Sequence, residues 1–355
     1  MTVSSERRPA PEWLIVAPPP TGPFDGIVDF SAALAAAINV IEPARLISSH
    51  AALAEVDTRG IFLQYSPPAF VTADLPKLLS HLSRLRARGV PIVTTVHEYW
   101  SPATWSPKRA VWRWLCKRAL AAVAARSSRL VATTPYAARF LAESGIPGAK
   151  DAAIVPVGSG IPSSAGSESA GVRAGDGRSA ITIAMFGQPA IFDRVVVLAM
   201  AQWIAQQSPR PRWIWNGRSA DEMRAWWREL GAPEVVEFHG GQPAADVAQL
   251  LSQADLAVAV YDDGASTRRS SLAAIVASGL PIVALDGRFT DDRLRNSGAF
   301  LFSPIGNAPA FVANLQRALT DVALREKMAA ASSRLYATEL SWPRIARQYL
   351  EAAKP

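Results

Sequence analysis

The 355-residue chain is 49% hydrophobic and 19% charged, a composition that can fill sizeable cores and excludes a disordered or fibrous protein. That length exceeds one ordinary core and fits two α/β domains. The 37 Lys and Arg against 30 Asp and Glu leave a net charge of +7, suited to phosphates or an anionic surface, while a single cysteine, Cys116, excludes an internal disulfide and has no Cys or His at zinc-ligand spacing.

The first apolar run, Trp13 to Ala17, stops at Pro18-Pro19-Pro20. It is too short for a membrane span or a signal-peptide apolar region, which places the chain in the cytoplasm. Short β-branched runs bounded by Gly, Pro or Ser then alternate with longer segments of helical period, the rhythm of parallel sheets. Strands are expected near 13–17, 44–48, 61–65, 92–96, 129–133 and 153–156, with helices near 28–39, 74–88, 107–126 and 135–143. A Gly- and Ser-rich stretch follows, Ser159 to Gly171 and on to Gly177, with almost nothing to bury; it reads as a linker. The rhythm then resumes with strands near 181–187, 213–216, 235–238, 255–261 and 282–285 and helices near 193–207, 219–230, 244–252 and 270–278. Beyond about 305 the pattern is purely helical. The expected organisation is a first domain over 1–160, a linker over 161–179 and a second domain over 180–340.

Ligands of open parallel sheets sit beyond the carboxyl ends of the strands, which draws attention to four loops. In Thr21 to Asp29, Gly26 opens a helix and would let a phosphate approach backbone N–H groups, although a plain turn glycine fits as well. His97, in Val96-His97-Glu98-Tyr99-Trp100, ends a strand where an imidazole can serve acid–base chemistry or be satisfied by backbone groups. Arg194 follows Phe186-Gly187-Gln188-Pro189 at a helix start, where a cation adds to anion binding or is simply solvated. The segment Asp262 to Leu272 contains Ser266, Arg268, Arg269 and Ser270; hydroxyls and two guanidinium groups at a helix start suit a diphosphate, against the plainer reading of a capped helix with exposed arginines.

These residues resemble the GT-B glycosyltransferases of the family 4 type. The resemblance runs through Gly26-Ile27-Val28-Asp29-Phe30-Ser31, Val131 to Tyr136 with Phe140-Leu141, Ile154 to Gly158, Phe238-His239-Gly240, Leu250 to Asp255, Ala277 to Ala284 and Leu340-Ser341-Trp342 with Ile345-Ala346. It implies an α/β fold of two Rossmann-like domains whose parallel sheets face across a cleft, with a last helix, 341–355, packing back on the first domain. The implied activity is a hexosyltransferase that moves a sugar from a nucleotide-diphosphate-sugar donor to an acceptor hydroxyl, with retention of configuration and in polysaccharide or glycoconjugate synthesis.

By position, the resemblance assigns His97 and Asp29 to the catalytic site. Gly26, Arg194, Arg268, Arg269, Ser266 and Ser270 would bind the donor, with no metal or further cofactor. One departure stands out: the Glu-x7-Glu pair of the family falls on Ser266 and Ala274, so neither carboxylate is present. That loss motivates an alternative, a non-catalytic binding subunit of the same fold.

The segment 107–126 carries Lys108, Arg109, Arg113 and Lys117 beside Trp112, while Val111, Trp114, Leu115, Ala119 and Ala122 are expected to share one face. A basic helix with interfacial aromatics suits an anionic membrane surface, where a lipid-linked acceptor would be met; a small soluble acceptor is the other choice. Nucleic acid is not expected, because no recognition motif accompanies the charge.

Overall fold

The computed structural model describes residues 11–18, 26–48, 53, 57–66, 74–98, 107–163 and 181–354. They form two compact units, one of Met1–Thr133, Ala137–Val155 and Ile345–Pro355, the other of Thr134–Tyr136 and Pro156–Arg344. Apart from 159–163, the Gly/Ser stretch expected as a linker lies outside the described residues, as do Thr21 to Asp25 of the first loop and Tyr99-Trp100 after His97.

The first unit is built from β1 (Glu12–Val16), α1 (Gly26–Asn39), β2 (Ala44–Ile47), β3 (Thr58–Tyr65), α2 (Leu75–Ala87), β4 (Ile92–Val96), α3 (Pro107–Ala124), β5 (Arg129–Ala132), α4 (Pro135–Glu143) and β6 (Ala153–Ile154). All six strands pair in parallel, in the order β2-β1-β3-β4-β5-β6. Helices cover both faces, so β3 and β4 are buried along nearly their whole length and read as continuous apolar runs rather than alternating ones. β3 starts three residues before the expected 61 because Thr58 and Gly60 extend it along β1. A Cβ at Gly60 would sit 2.1 Å from the Trp13 ring, so the strand passes under that indole only without a side chain.

The segment Ile345–Pro355 belongs to this unit. It forms most of α12 (Trp342–Ala352). The Tyr349 hydroxyl lies 2.8 Å from Thr95 Oγ1, and its ring meets Phe62 edge-on at 5.5 Å. Burial pushes the Tyr349 phenol pKa up, so it stays neutral.

α3 departs from the expected face. Core packing begins only at Cys116 and continues through Ala119, Leu120, Val123 and Ala124. Before that, residues 108–115 are exposed, with Val111, Trp112, Trp114 and Leu115 at 59%, 45%, 54% and 38%. Val111, Trp114 and Leu115 therefore do not share a packed side with Ala119; the apolar core reaches only the second half of the helix.

In the second unit come β7 (Thr182–Phe186), α5 (Arg194–Ala205), β8 (Arg212–Gly217), α6 (Ala220–Leu230), β9 (Val236–Gly240), α7 (Ala244–Ser252), β10 (Leu256–Ala259), α8 (Ser270–Ala277), β11 (Ile282–Asp286), α9 (Asp292–Arg295), β12 (Phe300–Pro304), α10 (Ala308–Thr320) and α11 (Val322–Leu335). A π-helical turn, Tyr336–Leu340, ends α11. Here too the sheet is parallel and six-stranded, ordered β12-β11-β10-β7-β8-β9. β12 is the strand the sequence did not announce. It is an edge strand only partly buried, with Phe300 stacked on Phe302 at 5.1 Å, and the four-residue α9 before it breaks the regular spacing.

Candidate functional site

In the second unit the chain runs from β7 outward through β8 and β9, then returns to place β10, β11 and β12 on the other side. The reversal falls between β7 and β10, where ligands of such sheets bind. The loops beyond these two strands are tied together by an antiparallel bridge between Phe192 and Tyr261, with Asp193 N donating to Val260 O at 2.8 Å and Asp262 N to Ile191 O at 2.9 Å. Asp193 caps α5, accepting from Val195 N and Val196 N, and its other oxygen accepts from Gly306 N at 2.8 Å. Such a cap contributes about 1 kcal/mol and here also holds the loop after β12.

Arg194 begins α5 as expected. Its guanidinium is engaged elsewhere, 3.2 Å from Glu229 and over the Trp226 ring at 5.3 Å.

The loop beyond β10 is a compact charged cluster. Asp263 is buried and places one carboxylate oxygen 2.5 Å from Arg268 and the other 2.5 Å from Arg269. Arg268 lies over Phe289 at 4.1 Å and Arg269 over Tyr261 at 4.5 Å. Tyr136 meets Phe289 edge-on at 4.7 Å. Both arginine Nε atoms are buried without a hydrogen-bond partner. The clasp depends on a close approach of two backbones: Gly264 has φ +94°, and a Cβ there would meet Gly287 N at 2.4 Å. Thr267 ties the loop to α9 through Asp291 at 3.2 Å, and its carbonyl accepts from Val157 N at 2.8 Å.

Ser266, fully buried, accepts from Arg268 N at 3.3 Å, whereas Ser270 is exposed at the start of α8. The structure thus brings Arg268, Arg269 and Ser266 together and sets Ser270 at their edge. Ala274, at the second position of the missing carboxylate pair, is buried inside α8. Beside the clasp, partial desolvation of the Asp262 carboxyl, then the neighbouring Asp263 charge, raises its pKa.

In the first unit His97 follows β4. Its N–H donates to Tyr65 O at 3.1 Å, its Nε2 lies 2.8 Å from Gln64 Oε1, and its ring stands edge-on to Phe30 at 5.1 Å and 70°. Glu98, the next residue, accepts from Ser66 Oγ at 2.7 Å. Gly26 opens α1, where an added Cβ would meet nothing within 4 Å among the described residues, and Asp29 sits on the exposed first turn of that helix. Two residues of this chemistry went unremarked in the sequence as site groups. Asp263 stood inside the charged loop, with no sign that one carboxylate would hold both arginines; Gln64 is marked only as the polar member of Ile61-Phe62-Leu63-Gln64-Tyr65.

Residues 56–158 match the family model of glycosyltransferase family 4. That match lies almost wholly in a segment of the first unit, which is similar there to glycosyltransferase family 4. No curated protein sequence matches the chain. Among solved structures it is similar to Alr3699/HepE of Anabaena in complex with UDP and glucose, at 14% identity over 96% of this chain and 98% of that one, with a TM-score of 0.67. Similar too are sucrose-phosphate synthase of Thermosynechococcus elongatus, at 16% identity, 85% and 74% coverage and a TM-score of 0.59, and the UDP-forming trehalose-phosphate synthase of Burkholderia xenovorans, at 13%, 92% and 77%, and 0.59. The chain has the GT-B fold they share.

Proposed function

We propose that this protein is a glycosyltransferase that moves a sugar from a nucleotide-diphosphate-sugar donor to an acceptor hydroxyl, with retention of configuration, in polysaccharide or glycoconjugate synthesis. The observation that carries the reading is the pair Arg268 and Arg269, held by one buried carboxylate beyond β10, at the strand reversal of the second unit. The donor diphosphate takes the guanidinium N–H groups that Asp263 leaves over, with Ser270 and the N-terminus of α8 alongside. Neutralising the departing diphosphate is where preorganised charge gains most in such a transfer. In the first unit His97 and Asp29 serve the reacting hydroxyls, and Gly26 at the start of α1 binds the donor. Alr3699/HepE, similar in fold, binds UDP and glucose, which supports a uridine nucleotide as the first probe.

We assign the exposed half of α3 to an anionic membrane surface, on the inner face of which a lipid-linked acceptor is presented. Five cations, Lys108, Arg109, Arg113, Lys117 and Arg118, and no acidic residue accompany its exposed tryptophans. Among the described residues no helix is long and apolar enough to cross a membrane, so any attachment made by them is peripheral.

A thermal-shift series with UDP, other nucleoside diphosphates and their sugars tests the donor reading. A ligand at 100 times its Kd stabilises by about 2.7 kcal/mol, and sugar transfer or slow donor hydrolysis should accompany the nucleotide that shifts Tm. The buried Ser266 and Ala274 in place of two carboxylates favour a second reading, a nucleotide-binding subunit without transfer; a nucleotide that shifts Tm while no donor is turned over would select it.

A further inference from the structure

We propose that Gln64 is the positioning residue of His97: its buried side-chain carbonyl accepts the Nε2–H and fixes the imidazole as the neutral tautomer whose lone pair is on Nδ1. The inference rests on the reading of His97 as a group of the reacting site and adds how the ring is held.

Gln64 is fully buried on β3, between Leu63 and Tyr65, which are also buried. Its Nε2 is buried and without a hydrogen-bond partner. A primary amide taken out of water with half of its polar atoms unsatisfied opposes folding, and a leucine of similar volume would carry no such cost. What the amide supplies in return is one contact, Oε1 at 2.8 Å from His97 Nε2. A carbonyl oxygen has no hydrogen to give, so at that distance the proton belongs to the ring nitrogen, and the partner atom decides the tautomer.

The remaining restraints agree with a ring held in one pose. β3 and β4 are neighbours in register, Gln64 beside Thr95 and Tyr65 beside Val96, and the His97 backbone N–H is bonded to Tyr65 O. Phe30, from α1, packs edge-on against the imidazole. The titratable groups on the surrounding elements are Asp29 on α1, Arg59 and Tyr65 on β3, Glu98 after β4, and Arg344, Arg347, Tyr349 and Glu351 on α12. Burial raises the pKa of both tyrosines, and Glu98 is bonded to Ser66.

Imidazole ¹⁵N spectra of the full chain test this without a known acceptor. There are only four histidines, His50, His81, His97 and His239, so the His97 signals are those lost in His97→Ala. In the native protein Nε2 should resonate as the protonated nitrogen and Nδ1 as the bare one. Gln64→Leu should mix the two tautomers and lower the His97 pKa, since the charged ring loses an acceptor. Gln64→Glu keeps an acceptor and adds negative charge, and should raise that pKa by about one unit or more. If Gln64→Leu fails to fold, Gln64→Glu decides alone. A native ring protonated on Nδ1, or a His97 titration unmoved in folded Gln64→Glu, overturns the proposal. Normal turnover in His97→Ala would instead defeat the role of His97 and leave the spectra standing, so the two failures are told apart.

Discussion

Asp263 is the residue on which the donor reading turns, because it holds two cations with one carboxylate. Removing one partner of a buried ion group leaves the other uncompensated, and Asp263→Ala is expected to destabilise the fold by about 3 kcal/mol, read as a lower urea midpoint at unchanged slope. Each arginine acts in the other direction: Arg268→Ala and Arg269→Ala should each weaken nucleoside diphosphate binding by about 1.5–3 kcal/mol, the scale of hydrogen bonds to charged groups, and calorimetry showing native affinity in both would remove the assignment. His97→Ala should lower turnover roughly 10²–10⁴-fold, as loss of a proton-transferring side chain does, with nucleotide affinity nearly unchanged; a fully active, folded variant would make His97 structural. The candidate arginines and His97 were legible because charge at a helix start and an imidazole at a strand end are local patterns. Arg194 shows the limit of that legibility. Its place in the sequence is right for an anion, yet Glu229 and Trp226, more than thirty positions away, engage it, and no local pattern encodes a partner at that separation.

At the scale of elements, α3 is half anchored and half exposed, and that division separates two contributions to membrane attachment. Each of its basic side chains near an anionic leaflet contributes on the order of 1 kcal/mol, an attraction that decays over a Debye length of about 8 Å at physiological ionic strength. Charge reversal of Lys108, Arg109, Arg113 and Lys117 should therefore abolish the salt-sensitive part of vesicle co-sedimentation. Because Trp112 and Trp114 are exposed, a salt-resistant part should remain in the native protein and fall in a Trp112→Ala, Trp114→Ala double variant; a protein that ignores anionic vesicles at low salt would leave a small soluble acceptor. The loop beyond β10 depends on its glycine in the same local way. Gly264→Ala would force a Cβ against the Gly287 backbone in a left-handed conformation, and a loss of about 1–3 kcal/mol is expected from the conformation alone, seen as a drop in Tm. The helices and strands themselves were legible wherever both faces of a strand are covered, since burial on two sides writes a continuous apolar run. β12 was not: one side of an edge strand meets solvent, and its pattern loses contrast. The exposed half of α3 misled for the opposite reason, since apolar period on a helix does not say whether a core stands opposite it.

The whole molecule is a basic chain of two parallel-sheet units, and the alternation that builds such sheets was plain in the sequence as far as β11. The first unit is not continuous along the chain, however. It takes in Ile345–Pro355 after the entire second unit has passed, and the Tyr349 side chain from that late segment closes over Thr95, Phe62 and Phe30. A ribosome therefore delivers the last apolar cover of the first unit some two hundred residues after the sheet it completes, and during that interval the nascent sheet keeps an open apolar patch. Stalling or proteolysis just before Ile345 should yield a product whose second unit resists protease while the first is cleaved, and supplying the missing segment in trans as a peptide should restore its protection.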